Sequence, residues 1–327
     1  MMRSSSAVIR SLPLRQLQPR PLVAVAPMPE KTQFDRKLTV ELNTLLSQGT
    51  TGGDIGLAQL LDTTITTQNF TLDSLMKISY NDVVDRVAID EYLENNIEIL
   101  DSCNYFVQKI ENIKKYVCSL RVVARLVDNS GCAKHNAMTS KHALKLLESC
   151  QSIEKRCKSK GNNGLRKILR QKLSVENEFN EIIFGSKVMA LMCCKFLELG
   201  LSFDSKSRLP SMKKSHATTF SWLRLLEELV KELAKGSAEK KVLKRRTRTT
   251  LLIDELQKTV NAAREMKQHL KGKKEKDMKF SAERLKRSCM ELEDGIVIIE
   301  ERVKGLYKSL IDVRMALLGI VSQAYNF

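Results

Sequence analysis

Aromatic residues make up only 5% of this chain, and Trp222 is its one tryptophan. That scarcity argues against nucleic-acid readout, which draws on stacking aromatics or a recognised module. Six prolines and fourteen glycines are few for 327 residues. With so few breakers, and with Leu, Lys, Glu and Ile abundant, long helices are favoured over strands. No CxxC pair occurs among the eight cysteines, and the four histidines lie far apart. His135 and His142 stand near Cys132 and Cys150, but the spacing fits no zinc finger, so neither metal nor cofactor is expected. The remaining cysteines sit mostly among apolar residues, as small core residues do. No secretory signal is legible, so they read as reduced thiols inside a cell. Long apolar runs are missing too. Val188 to Cys194, between Lys187 and Lys195, is the longest, where a span needs about 20 residues. Membrane contact, if any, is expected to be peripheral.

What is present is a repeat. Near the C-terminus, apolar residues recur at alternating four- and three-residue steps: Leu285, Cys289, Leu292, Ile296, Ile299, Val303, Leu306, Leu310, Val313, Leu317 and Ile320. No charge breaks the series. A seven-residue apolar repeat of this length is one stripe on an α-helix. The stripe must be covered by helices of the same chain or by another copy. Leu93, Ile97, Leu100, Cys103, Val107, Ile110, Val117, Leu120, Ala124 and Val127 predict a second long helix over 82–127.

The net charge of +17 is unevenly spread. Residues 206–287 hold 24 lysines and arginines against ten acids. Residues 1–29 hold Arg3, Arg10, Arg15 and Arg20 and no acid. That first segment suits an organelle transit peptide or an ordinary disordered basic tail. Cytoplasm and plastid are therefore both expected compartments. Lys240, Lys241, Lys244, Arg245, Arg246 and Arg248 form one basic cluster; Lys271, Lys273, Lys274, Lys276 and Lys279 form another. A solvated face is the first reading, an anionic membrane surface the second at about 1 kcal/mol per cation, and nucleic acid the last.

Along the chain, Asp35 is placed to cap a helix carrying Leu38, Leu42, Leu45 and Leu46. The glycine-rich 48–53 lacks the Gly-Lys-Ser/Thr ending of a phosphate loop and reads as a linker. The stretch Asp62 to Gln68 (DTTITTQ) reads as a loop before a short helix around Leu72, Leu75 and Met76. Further helices are expected over 139–158, 165–201, 219–234 and 238–270, with Gly236 ending one of them. The domain reading is a tail over 1–29, an N-terminal helical region over 30–201, a polar linker over 202–218 and a C-terminal helical region over 219–327. The expected fold is all-α: an elongated bundle of long antiparallel helices with a coiled-coil-like C-terminal helix.

One block carries more. Tyr92-Leu93-Glu94 followed by Leu100-Asp101-Ser102-Cys103-Asn104 resembles the plant BYPASS family, as do Ser221-Trp222 and the closing Arg314, Leu317 and Leu318. Glu94 stands where that family has Asp. The resemblance implies a plant protein without established enzymatic activity, linked to root and shoot development through restraint of a root-derived mobile signal. It also implies contact with the exocyst, through its Exo-seventy subunit. From the residues alone, Cys103 lacks a neighbouring base and reads as structural, and Asn104 reads as a register-fixing polar residue. The expectation is a non-enzymatic scaffold working through helical faces, or a peripheral membrane adaptor.

Overall fold

The computed structural model describes residues 31–50, 56–77, 85–128, 136–157, 177–203, 220–238, 253–272 and 275–324. Among them are eight helices and no strand. They are α1 (Gln33–Thr50), α2 (Leu57–Leu75), α3 (Arg86–Asp128), α4 (Asn136–Arg156), α5 (Glu178–Gly200), α6 (Ser221–Ala238), α7 (Ile253–Gly272) and α8 (Glu275–Ala324).

The centre is the pair α3 and α8. At 1.5 Å per residue they run about 65 and 75 Å. Every position of the C-terminal stripe from Leu285 to Ile320 is buried within the chain, which settles where that stripe goes. On α3 the matching stripe is Ile89, Tyr92, Asn96, Ile99, Cys103, Phe106, Ile110, Ile113, Val117, Leu120, Ala124 and Val127, again in steps of three and four and all buried. It differs from the expected one. Ile97 is 48% exposed, and Leu93, Leu100 and Val107 are half-buried. A face drawn through the aliphatic residues and cysteine alone is rotated away from Tyr92, Asn96 and Phe106, which hold seam positions. With a assigned to Cys103 and d to Phe106, both helices are heptads of one core.

Ion pairs fix the direction. Lys114 pairs with Glu300, Arg121 with Glu293 and Asp128 with Lys286. Numbers rise on α3 as they fall on α8, so the pair is antiparallel. All six residues occupy the e row of their own helix, beside the seam, where charge pairs specify register.

The other helices cover the g sides. α4 packs on α3 and α7 on α8, and α4 meets α7, around one half of the pair. α5 packs on α3 and α2 on α8, and α2 meets α5, around the other half. α1 lies against α2 and α6. α5 is buried almost all round, including the whole of Val188 to Cys194, as a helix apolar on every face must be. Among the described residues no helix is long and apolar enough to cross a membrane.

Several local expectations change. Asp62 to Gln68 is the middle of α2, not a loop. The threonines become helix-compatible by donating back: Thr64 to Leu60 O at 2.8 Å, Thr67 to Thr63 O at 2.8 Å and Thr71 to Thr67 O at 2.9 Å. A hydroxyl satisfied this way can be buried. The cap of α1 is Thr32, whose Oγ1 accepts from Asp35 N at 3.0 Å. Asp35 instead caps α6, its Oδ1 accepting from Ser221 N at 3.0 Å. Gly236 lies inside α6. Most of 202–218 lies outside the described residues, but Ser202 and Phe203 are buried, Phe203 edge-on to Tyr116 at 5.1 Å. Helices from both sides of that segment share one core. Residues 1–29 also lie outside the described residues.

Candidate functional site

The motif block falls on the N-terminal half of α3, and its members part company there. Tyr92 is buried; its hydroxyl lies 2.9 Å from Ser186 Oγ on α5. Ser186 donates to Gln68 Oε1 at 2.7 Å, and Gln68 Nε2 donates to Ser186 O at 3.1 Å. Burial pushes the Tyr92 phenol up to about 12, opposed by its bonds to Ser186 and Asn96. This network ties α2, α3 and α5 together with the Tyr92, Ser186 and Gln68 side chains all satisfied, the condition under which buried polar networks specify a core.

Leu93 contributes its carbonyl, which accepts from Arg314 Nη1 at 2.7 Å. Two distant pieces of the resemblance thus meet. Asp101 is exposed, and so is Asn104. Asn104 therefore fixes no register: it lies on the outward b row, one residue past the seam. Asn96, in the a row, holds that place, its Nδ2 donating to Leu310 O at 3.4 Å. Cys103 is a free thiol fully buried against α5, where its hydrogen bond with Cys194, followed by burial, raises the Cys194 thiol. Trp222 is fully buried, its ring 5.8 Å from Phe184 and 6.1 Å from Phe220.

Burial pushes the thiols of Cys150, Cys193 and Cys289 up to about 12. A nucleophilic cysteine needs the opposite shift. Of the histidines, His142 is exposed and His269 Nδ1 lies 2.7 Å from Ser281 Oγ. His135, His216 and Cys132 lie outside the described residues. Among the described residues no group of three His, Cys, Asp or Glu is placed to hold a metal. A shallow hollow of about 260 Å³ between α1 and α2 is lined by Glu41, Thr44, Gln48, Gln59, Asp62 and Thr66. Gln59 Nε2 donates to Gln48 Oε1 across it at 3.2 Å.

The first basic cluster, Lys240 to Arg248, lies outside the described residues, as do Lys273 and Lys274. Lys276 is in the first turn of α8. Lys271 and Lys279 are exposed at the α7–α8 turn, next to Phe280, which is 71% exposed. Between the two clusters α7 buries Leu256, Val260, Ala263, Met266 and Leu270, so residues 240–279 are not a free basic linker.

Sequence reasoning missed three elements. The ion-pair ladder was present as charges every seven residues, but needed both helices in register. The Gln68–Tyr92–Ser186 network leaves no sequence signal. The third is a buried corner where α1, α5 and α6 begin. There Thr32 Oγ1 donates to Glu181 Oε2 at 3.0 Å, and the Trp222 indole faces the same carboxyl without closing a hydrogen bond. Burial pushes Glu181 up to about 7, with the charge of Asp35 adding to the shift.

No family model, curated protein or solved structure matches the chain.

Proposed function

We propose that this chain is a non-enzymatic scaffold that gathers partner proteins on the outward rows of its long helices, in plant root and shoot development. The development part rests on the BYPASS resemblance, whose members restrain a root-derived mobile signal. The scaffold part rests on one observation: α8 holds Met290, Val297 and Ile298 exposed at 60%, 54% and 43% although its seam is fully packed. Scattered exposed apolar residues carry no such meaning, but Met290 and Val297 share one face and Ile298 adjoins Val297, and grouped apolar side chains of this kind mark contact surfaces. Proximity labelling in plant roots tests it, using the full chain and a Met290→Glu, Val297→Glu variant. A partner set lost with an unchanged melting temperature supports the reading. The same set retained by the variant overturns it.

A second reading, a peripheral membrane adaptor working with the exocyst, draws on Phe280 beside exposed Lys271 and Lys279. An exposed aromatic flanked by cations suits an anionic interface. Liposome sedimentation with phosphatidylserine vesicles separates the readings. Binding by the wild type that falls with Lys271→Glu, Lys279→Glu or Phe280→Ser favours the adaptor; absence of binding excludes it. Deleting 240–279 is unsuitable because it removes α7 from the core.

A further inference from the structure

The α3–α8 pair has one open side. Side-chain bonds from α3 to α4 and α5 leave from Glu91, Tyr92, Cys103 and Tyr116. Those from α8 to α2 and α7 leave from Ser281, Arg284 and Arg302. All these lie on the a, c, d and g rows, away from the e–e ladder. Among the described residues, then, nothing covers the side formed by the e, b and f rows of both helices.

That side divides along its length. From Lys114 to Asp128 on α3 it carries the ion-pair ladder, with exposed Met290 and Val297 beside it on α8. Over the other half it is apolar: Leu93, Ile97 and Leu100 on α3 lie level with Ile311, Met315 and Leu318 on α8. Ile97 is 48% and Met315 61% exposed, and the other four are half-buried. The bond from Arg314 to the Leu93 carbonyl fixes the level. The two edges of this strip differ in sign. On the α3 edge stand Glu94 and Asp101, both exposed. On the α8 edge stand Lys304, 61% exposed in its pair with Glu300, and Lys308, exposed. Glu301, which shares the f row with Lys308, lies 3.5 Å from Arg302.

We infer that this strip is covered by a second copy of the chain. An apolar strip with one acidic and one basic edge is complementary to itself under one kind of two-fold axis. When the axis lies in the contact plane along the rods, each acidic edge meets the other copy's basic edge. Asp101 then comes level with the partner's Lys308. An axis across the rods would set acid against acid. A two-fold dimer is the commonest closed assembly and needs one self-complementary patch. The strip is small, so the dimer is weak, with a dissociation constant in roughly the micromolar range. The inference stands apart from the scaffold reading: a monomer can gather partners, and a dimer need not.

Sedimentation velocity of the full chain over roughly 1–100 µM brackets that constant. A concentration-dependent dimer is expected. Ile97→Asp with Met315→Asp abolishes it while leaving the melting temperature unchanged, because both side chains face solvent. Asp101→Lys and Lys308→Glu each weaken it about tenfold, and the two together restore most of the loss. A monomer at every concentration overturns the inference. So does a dimer indifferent to the Ile97 and Met315 changes, or a swap pair whose losses add. If the full chain is monomeric and removal of residues 1–30 makes it dimerise, the chain's own first segment holds the strip, and the inference also fails.

Discussion

The two halves of the α3–α8 pair follow one heptad rule and enforce register by opposite means. In the half flanked by α4 and α7, the seam is apolar and the register markers are charges at its rim, half-buried except for exposed Arg121: Lys114–Glu300, Arg121–Glu293 and Asp128–Lys286. In the half flanked by α2 and α5, the markers are buried: Asn96 in the seam, with Tyr92, Gln68 and Ser186 beside it. Water still reaches these rim pairs, so each is worth only about 1 kcal/mol. No water replaces a lost partner in the buried network, so each break there costs about 1–3 kcal/mol. The same packing code thus yields a tolerant half and an intolerant one. The intolerant half is where the motif block lies.

The sharpest break is Ser186→Val. It removes the hydroxyl shared by Tyr92 and Gln68, leaves both buried groups short of a partner and adds a methyl to a fully buried site. A loss of about 3 kcal/mol is expected in urea unfolding. A loss under about 1 kcal/mol would mean that the network is not a register device.

Next is the corner at Glu181. Its folded pKa, raised to about 7 by burial, lies above the unfolded value near 4.5. The fold therefore prefers the protonated acid. This contribution is complete below about pH 4.5 and is lost as pH rises through about 7. The groups facing it are Thr32, Asp35, Trp222 and Glu178. Glu181→Gln should match wild type near pH 4.5 and exceed it by about 2 kcal/mol at pH 8. Melting curves from pH 4.5 to 8.5 check this. A pH-independent difference would show that the carboxyl is ordinary.

How much of this was legible follows from the same contrast. The C-terminal stripe was readable because its apolar residues are uninterrupted and its period is local. On α3 the same period was half hidden, since Tyr92, Asn96 and Phe106 occupy seam positions that an aliphatic count skips. α2 was misread because threonine favours turns and strands on its own, and only burial against α5 and α8 recruits it into a helix. The sequence marks Asp35 as a cap but, read locally, points it at its own helix. A carboxylate can cap any helix start that the fold brings to it, and α6 begins 186 residues later. Pairings such as Arg314 to Leu93 follow from antiparallel register, which no single helix encodes.

The ladder should be mild and reversible. Arg121→Glu sets like charges against Glu293, with a loss of about 0.5–1 kcal/mol at low salt. Adding Glu293→Arg should return most of it, and the penalty of the single variant should shrink in 0.5 M salt. Denaturant midpoints of the four members of the cycle give the coupling directly. A penalty that persists in the double variant would place these side chains in packing rather than in charge pairing, and the two halves would then differ less than their geometry implies.

The smallest effect is expected at Thr67, one residue before Gln68. Both are fully buried, yet they spend their polar atoms differently. Gln68 reaches across to Ser186, whereas the Thr67 hydroxyl donates to Thr63 O within its own helix at 2.8 Å. That carbonyl already accepts the backbone N–H of the next turn, so losing the hydroxyl orphans nothing. Thr67→Val, nearly the same shape, should change stability by no more than about 0.5 kcal/mol. Gln68→Leu should cost several times that, because Ser186 loses its acceptor. Equal effects at the two sites would mean that burial alone, and not where the bond goes, governs tolerance in this half of the pair.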